Sequence, residues 1–165
     1  MTVRQILVAG VGNVFLGDDG FGVEVVRRLA GRPLPPAVRV ADFGIRGLDL
    51  AYALLEPYEL VIVIDASRRG GLPGTLYVLE GDPTGGGTSA VEAHGMIPTR
   101  ALGLAHQMGA SIPRVVVVGC EPESFGEPGV GRMELSSTVA GVVDEAVRLV
   151  DSLVQRQSDA AAATA

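Results

Sequence analysis

The stretch that most narrows the fold runs from Ile6 to Leu29. Residues Ile6 to Val11 form an apolar run, too short for a helix and suited to a strand buried on both faces. A loop follows that holds Gly12, Asn13, Gly17, Asp18, Asp19, Gly20 and Gly22. Val23, Val26 and Leu29 then recur at a spacing that predicts a helix with one buried face. Two adjacent carboxylates therefore sit in a glycine-rich turn between a first strand and a first helix. In open α/β sheets, that end of the strands is where ligands bind. Adjacent loop side chains point in different directions, so Asp18 and Asp19 are expected to do different jobs. One of them suits the helix start, where free N–H groups and the positive dipole end attract a carboxylate. Capping accounts for one of the pair, but not for both, nor for the glycines around them.

The rest of the chain repeats the alternation. Gly31 to Pro36 is a breaker. Val38 and Val40 begin a second strand that ends at Asp42, and Gly44 to Gly47 is a turn. Leu48, Leu50, Ala51, Leu54 and Leu55 predict a short helix stopped near Pro57. Leu60 to Ile64 is the strongest strand signal and closes on Asp65. Strand and helix in alternation imply right-handed crossovers and a parallel sheet. Only Ala66 to Pro73 then separates the third strand from Thr75 to Leu79, too little for a helical crossover, so the fourth strand is expected to run antiparallel. Gly81 to Ala93 reads as a mobile surface loop. A helix is expected over Ile97 to Met108, with Leu102, Ala105 and Met108 inward, and a fifth strand over Arg114 to Gly119. Val139, Val142, Val143, Ala146, Val147, Val150, Leu153 and Val154 predict a last helix, capped by Ser136 or Ser137. The expected layout is one domain over residues 1–156, with 157–165 a frayed tail that has nothing to bury.

Composition removes several functions. All 13 basic residues are arginine, so a Walker-type phosphate lysine and a Schiff-base lysine are both excluded. A net charge of −6 without a basic cluster argues against nucleic acid. No stretch reaches the ~20 apolar residues of a membrane span, and the N-terminus lacks a secretory h-region. Cys120 is the single cysteine, which fits a reducing compartment and points to the cytoplasm. A dinucleotide fingerprint fails, because Phe15 stands where glycine is needed and two acids would face the phosphates.

The topology gathers chemistry at one edge. Asp18-Asp19, Asp42 and Asp65 follow strands one, two and three, and His94 precedes the helix that leads to strand five. Carboxylates that close raise each other's pKa, and a cation relieves the repulsion. Two carboxylates and an imidazole would suit nickel, zinc, manganese or iron. His106 lies inside a helix and reads as a surface residue; Cys120 reads as a small buried residue rather than a nucleophile paired with His94.

The opening pattern resembles that of the hydrogenase maturation endopeptidases, which trim the C-terminal extension of nickel–iron hydrogenase large subunits. Gly10, Gly12, Asn13, Asp18, Asp19, Gly20 and Gly22 carry the likeness. Val63-Ile64-Asp65-Ala66, the segment His94 to Leu104, and Glu121-Pro122-Glu123 extend it, while Phe43 and Ile45 depart from the pattern around Asp42. The resemblance implies a three-layer α/β/α fold with a five-stranded mixed sheet in the order 2-1-3-5-4. It implies Asp19, Asp65 and His94 as metal ligands, Asp19 and Asp65 as catalytic residues, and Asp42 as a weaker catalytic candidate. It further implies an aspartate-dependent protease whose nickel is carried by its partner, the nickel–iron hydrogenase large-subunit precursor. Alternatives are a stand-alone metallopeptidase with its own metal and a non-catalytic, metal-dependent partner of the large subunit. The loops Gly81 to Ala93 and Phe125 to Gly131 are the expected docking elements, and no exposed apolar stripe is expected.

Overall fold

The computed structural model describes residues 5–86 and 96–164. Strand β1 (Gln5–Val11) leads through a 3-10 turn (Gly17–Gly20) into helix α1 (Phe21–Ala30). Strand β2 (Val38–Gly44), helix α2 (Gly47–Ala53) and strand β3 (Tyr58–Ala66) follow. Next come strand β4 (Leu76–Gly81), helix α3 (Met96–Gln107) and strand β5 (Val115–Cys120). The short helix α4 (Ser137–Ala140) and the long α5 (Val143–Ala163) complete the described chain.

The strands form one sheet in the order β2-β1-β3-β5-β4. β1 pairs parallel with β2 and β3, and β3 pairs parallel with β5. β4 runs antiparallel to β5. This is the mixed sheet that the sequence implies, and the short 67–75 link is the reason for the reversed strand.

Strand alternation divides the core in two. Ile6, Val8, Leu60, Ile62, Ile64, Val116 and Val118 face one side, where Val25 and Leu29 of α1 and Val150 of α5 cover them. Leu7, Ala9, Val11, Val61, Val63 and Val115 face the other, under Leu50 of α2 and Leu102 and Ala105 of α3. Each such aliphatic side chain contributes roughly 2 kcal/mol by leaving water. Two glycines let α1 sit directly on the strand ends. At Gly10 an added Cβ would lie 2.5 Å from the Gly22 carbonyl oxygen and 2.6 Å from Val26. At Gly22 it would meet the Val11 oxygen at 2.6 Å and collide with the Ile64 oxygen.

Four expectations shift. β3 runs past Leu60–Ile64 at both ends, so Asp65 lies inside the strand. Met108 is 40% exposed rather than inward, because α3 ends at Gln107 and the chain turns out at Gly109. The last helix is two helices, broken at Gly141 and Val142, where glycine disfavours continuation. The frayed tail at 157–165 is instead helical through Ala163. Alanine has the highest helix propensity, and a Gln155–Asp159 side-chain hydrogen bond of 2.8 Å supports that turn, although nothing there is buried. The Gly81–Ala93 loop is described only to residue 86. Gly85 packs on α3 there, with space for a Cβ closed by Gly103 N and Thr99 O at 2.5 Å.

Gly22→Ala is expected to lower stability by about 3 kcal/mol, the scale of overpacking against an unyielding backbone. Urea denaturation followed by circular dichroism measures this.

Candidate active site

The sheet order reverses between β1 and β3, since β1 connects outward to β2 and β3 returns on its other side. Such a switch point opens a crevice at the C-terminal strand ends. Asp19 follows β1 there, and Asp65 is the last residue but one of β3. By alternation with Val61 and Val63, Asp65 points to the α2–α3 side. The start of α3 reaches the same edge, because Ile97 Cγ2 lies 3.4 Å from where a Cβ on Gly47 would stand. His94 lies outside the described residues, just before that helix.

Asp18 and Asp19 do different jobs, as expected, but Asp18 does not spend its carboxylate on the start of α1. It is fully buried and links three segments. Its Oδ2 accepts from Glu123 N at 2.8 Å, Ser124 N at 3.0 Å and Ser136 Oγ at 2.9 Å. Its Oδ1 accepts from Ser136 N at 2.7 Å. Ser136 in turn accepts from Val139 N and caps α4. Asp18 is thus the structural member of the pair. Asp19 is 7% exposed, and its Oδ2 accepts from Asn13 N at 2.8 Å. The left-handed Gly12 before it, at φ +129°, provides the close approach that this loop needs.

Asp65 is 3% exposed, and its Oδ1 has no hydrogen-bond partner among the described residues. Burial, followed by the charge of Asp19, holds its carboxyl well above the usual carboxylate range, against a lowering hydrogen bond from the Ala66 amide. A buried carboxylate oxygen left unpaired beside a second carboxylate is costly unless a proton or a cation meets it. Acceptor-only ligands of this kind fit a divalent metal that brings further ligands of its own. Among the described residues, no group of three histidine, cysteine or acidic side chains could hold a metal by itself.

Asp42 is exposed and pairs in register with Gly10 of β1. Its carbonyl accepts from Arg46, and by alternation it shares the α1 side with Val38 and Val40. His106 is exposed on α3. Cys120 is fully buried, and burial, then Asp18 and Glu121, push its thiol up to about 12. It stays protonated at neutral pH and is no nucleophile.

Glu121 is the residue that sequence reasoning undervalued. It is 6% exposed, and its Oε2 accepts from Arg69 N at 2.8 Å and Tyr77 OH at 2.9 Å. Burial raises its pKa, but hydrogen bonds from Arg69, Tyr77, Gly70 and Gly71 outweigh this and leave it lowered. An ionised Glu121 therefore pins the loop that leaves Asp65. The Glu121-Pro122-Glu123 run signals an acid at this place, but not which of the two turns inward.

Fold and site together define a doubly wound α/β protein with a buried acidic pair at the switch point of its sheet. The family model for hydrogenase maturation proteases matches residues 23–152. Hydrogenase expression/formation protein HupD of Rhodobacter capsulatus is 36% identical over 147 residues, 87% of this chain and 68% of that protein. HoxM of Cupriavidus necator is 31% identical over 92% of this chain and 75% of its own length. Hydrogenase maturating endopeptidase HybD from Escherichia coli superposes with a TM-score of 0.79 at 28% identity, covering 93% of this chain and 94% of that one. The hydrogenase 2 maturation peptidase of a Thaumarchaeota archaeon reaches 0.68 at 32% identity, covering 92% and 98%. The chain belongs to the hydrogenase maturation protease family and is a peptidase.

Asp18→Asn, which replaces two acceptor oxygens by one, is expected to cost about 3 kcal/mol in urea denaturation. Asp65 has a folded pKa raised above its ordinary 3.8. Its contribution to stability is therefore fully present below that value and is lost as pH rises through the folded pKa. Asp65→Asn removes this loss. In calorimetry, the melting temperature of the variant relative to wild type is expected to climb by a few degrees as pH rises from about 4.

Proposed function

We propose that this peptidase removes the C-terminal extension of a nickel–iron hydrogenase large-subunit precursor and reads the nickel that the precursor carries. Family membership supplies the reaction class. The observation that carries the rest is the unpartnered, buried Asp65 Oδ1 beside Asp19. In this reading Asp19 and Asp65 are the protein's ligands to the precursor's metal, and His94 is the third. Asp65 gives up its proton as the metal arrives. A precursor without nickel supplies no partner for the pair, and its peptide bond is not presented. Once ionised, the carboxylates are placed to orient water or take its proton. The protease is expected to work in the cytoplasm. Among the described residues, no helix is long and apolar enough to cross a membrane.

The test is the intact mass of a purified large-subunit precursor, nickel-loaded or nickel-free, after incubation with the protein. Loss of a C-terminal peptide from the loaded form alone is the expected result. Cleavage of both forms would discard the nickel check. One equivalent of metal retained by the protease through purification would instead favour a resident metal. Asp19→Asn and Asp65→Asn are each expected to lower cleavage by at least about 100-fold while the protein stays folded. Cys120→Ala is expected to cleave at the wild-type rate. A folded Asp19→Asn variant that processes normally would sink the assignment.

A further inference from the structure

We infer that Arg68 is a specificity determinant that binds a carboxylate on the extension segment of the substrate. The inference rests on the processing reaction proposed above. Arg68 is exposed on the β3–β4 loop, three residues beyond Asp65. Its guanidinium carbon lies 4.3 Å from the centroid of the Phe125 ring. A guanidinium stacked on a ring keeps its N–H donors in the plane, directed to the sides and matched to the two oxygens of a carboxylate.

Several exposed arginines of the chain are satisfied by its own acids. Arg28, Arg32, Arg39, Arg46 and Arg114 each lie within ion-pair distance of an aspartate or glutamate. Among the described residues, Arg68 has no such carboxylate, and its partner is an aromatic face instead. In a protein of net charge −6, it offers a cation without an acidic partner among the described residues, on the loop that follows Asp65.

Both halves of this platform are braced. On the arginine side, Glu121 grips the Arg69 amide at 2.8 Å, and the Gly74 amide donates to the Glu121 carbonyl at 2.8 Å. On the ring side, Asp18 accepts from Ser124 N, and Phe125 C lies 3.2 Å from where a Cβ on Gly17 would stand. The same carboxylate that positions the Asp19 loop therefore positions the ring beneath Arg68. Three residues span at most about 10 Å, so a peptide anchored at Asp65 reaches Arg68 within a few residues. In the reading proposed above, Asp19 and Asp65 are taken up with the precursor's metal. The extension is the segment free to cross the rim.

The carboxylate has two sources on that segment, an acidic side chain or the terminal carboxylate, and the experiment separates them. Cleavage of nickel-loaded precursor is followed with wild type, Arg68→Ala and Arg68→Lys. Three substrates are used: the native extension, one with its Asp and Glu changed to Asn and Gln, and one ending in an amide. With the native extension, Arg68→Ala is expected to raise KM about tenfold, the scale of one charge-assisted hydrogen bond. Its kcat and melting temperature stay unchanged. Arg68→Lys recovers part of the loss, because it keeps the charge but not the fork. On the substrate that lacks the recognised carboxylate, wild type and Arg68→Ala have equal KM. An unchanged KM for Arg68→Ala, or the same fold loss on both neutralised substrates, overturns the inference. A wild type that cuts no precursor overturns the parent reading and this one with it; a wild type that cuts while the variants behave alike overturns this one alone.

Discussion

The structure depends most on one buried carboxylate. Asp18 collects four hydrogen bonds from the loop after β5 and from the cap of α4, while its own backbone lies in the turn after β1. Its amide also donates to the Ser124 carbonyl at 2.9 Å. A buried charge is stable only where donors meet it, so these segments cannot separate without stranding it. Everything at the working edge inherits its place from this junction. Asp19 follows directly in the chain, and Phe125 follows Ser124. The glycines at 10, 12 and 22 serve the same arrangement by letting helix and strand backbones approach closely.

Two of the buried acids, Glu121 and Asp65, differ in what surrounds them. Glu121 is ringed by backbone amides and a phenol and is held ionised. Asp65 has one amide, a neighbouring like charge and an oxygen without a partner among the described residues, and its carboxyl is held well above the usual range. The first arrangement stabilises a loop. The second leaves a site energetically incomplete, as sites that await a ligand often are.

Much of this was legible in the sequence, because apolar runs and their spacing determine strands and helices directly. The short link after Asp65 was enough to reverse β4. The meeting of Asp19 with Asp65 followed from the rule that parallel strands end on one edge. What stayed hidden depends on side-chain direction across loops. Nothing in Asp18-Asp19 says which of the two turns inward, and nothing in Glu121-Pro122-Glu123 says which clamps. The helix break at Gly141 was masked by an apolar spacing that carries through it. An exposed apolar stripe along α2 and the turns that flank it was missed as well. Ile45, Leu48, Tyr52 and Leu55 recur at helical spacing, yet all four are exposed. The pattern that predicts a buried face reads the same when that face is left outside.

The protonated state of Asp65 couples the site to the solvent. Any cation that settles between Asp19 and Asp65 must displace a proton, so docking is also an acid dissociation. If the precursor's metal docks here as proposed, its affinity would rise with pH over the range where Asp65 titrates. With Asp65 protonated, the cation-free site carries one negative charge rather than a bare pair of them. In the proposed reading, a single charge is a weaker lure for stray ions than a bare pair would be.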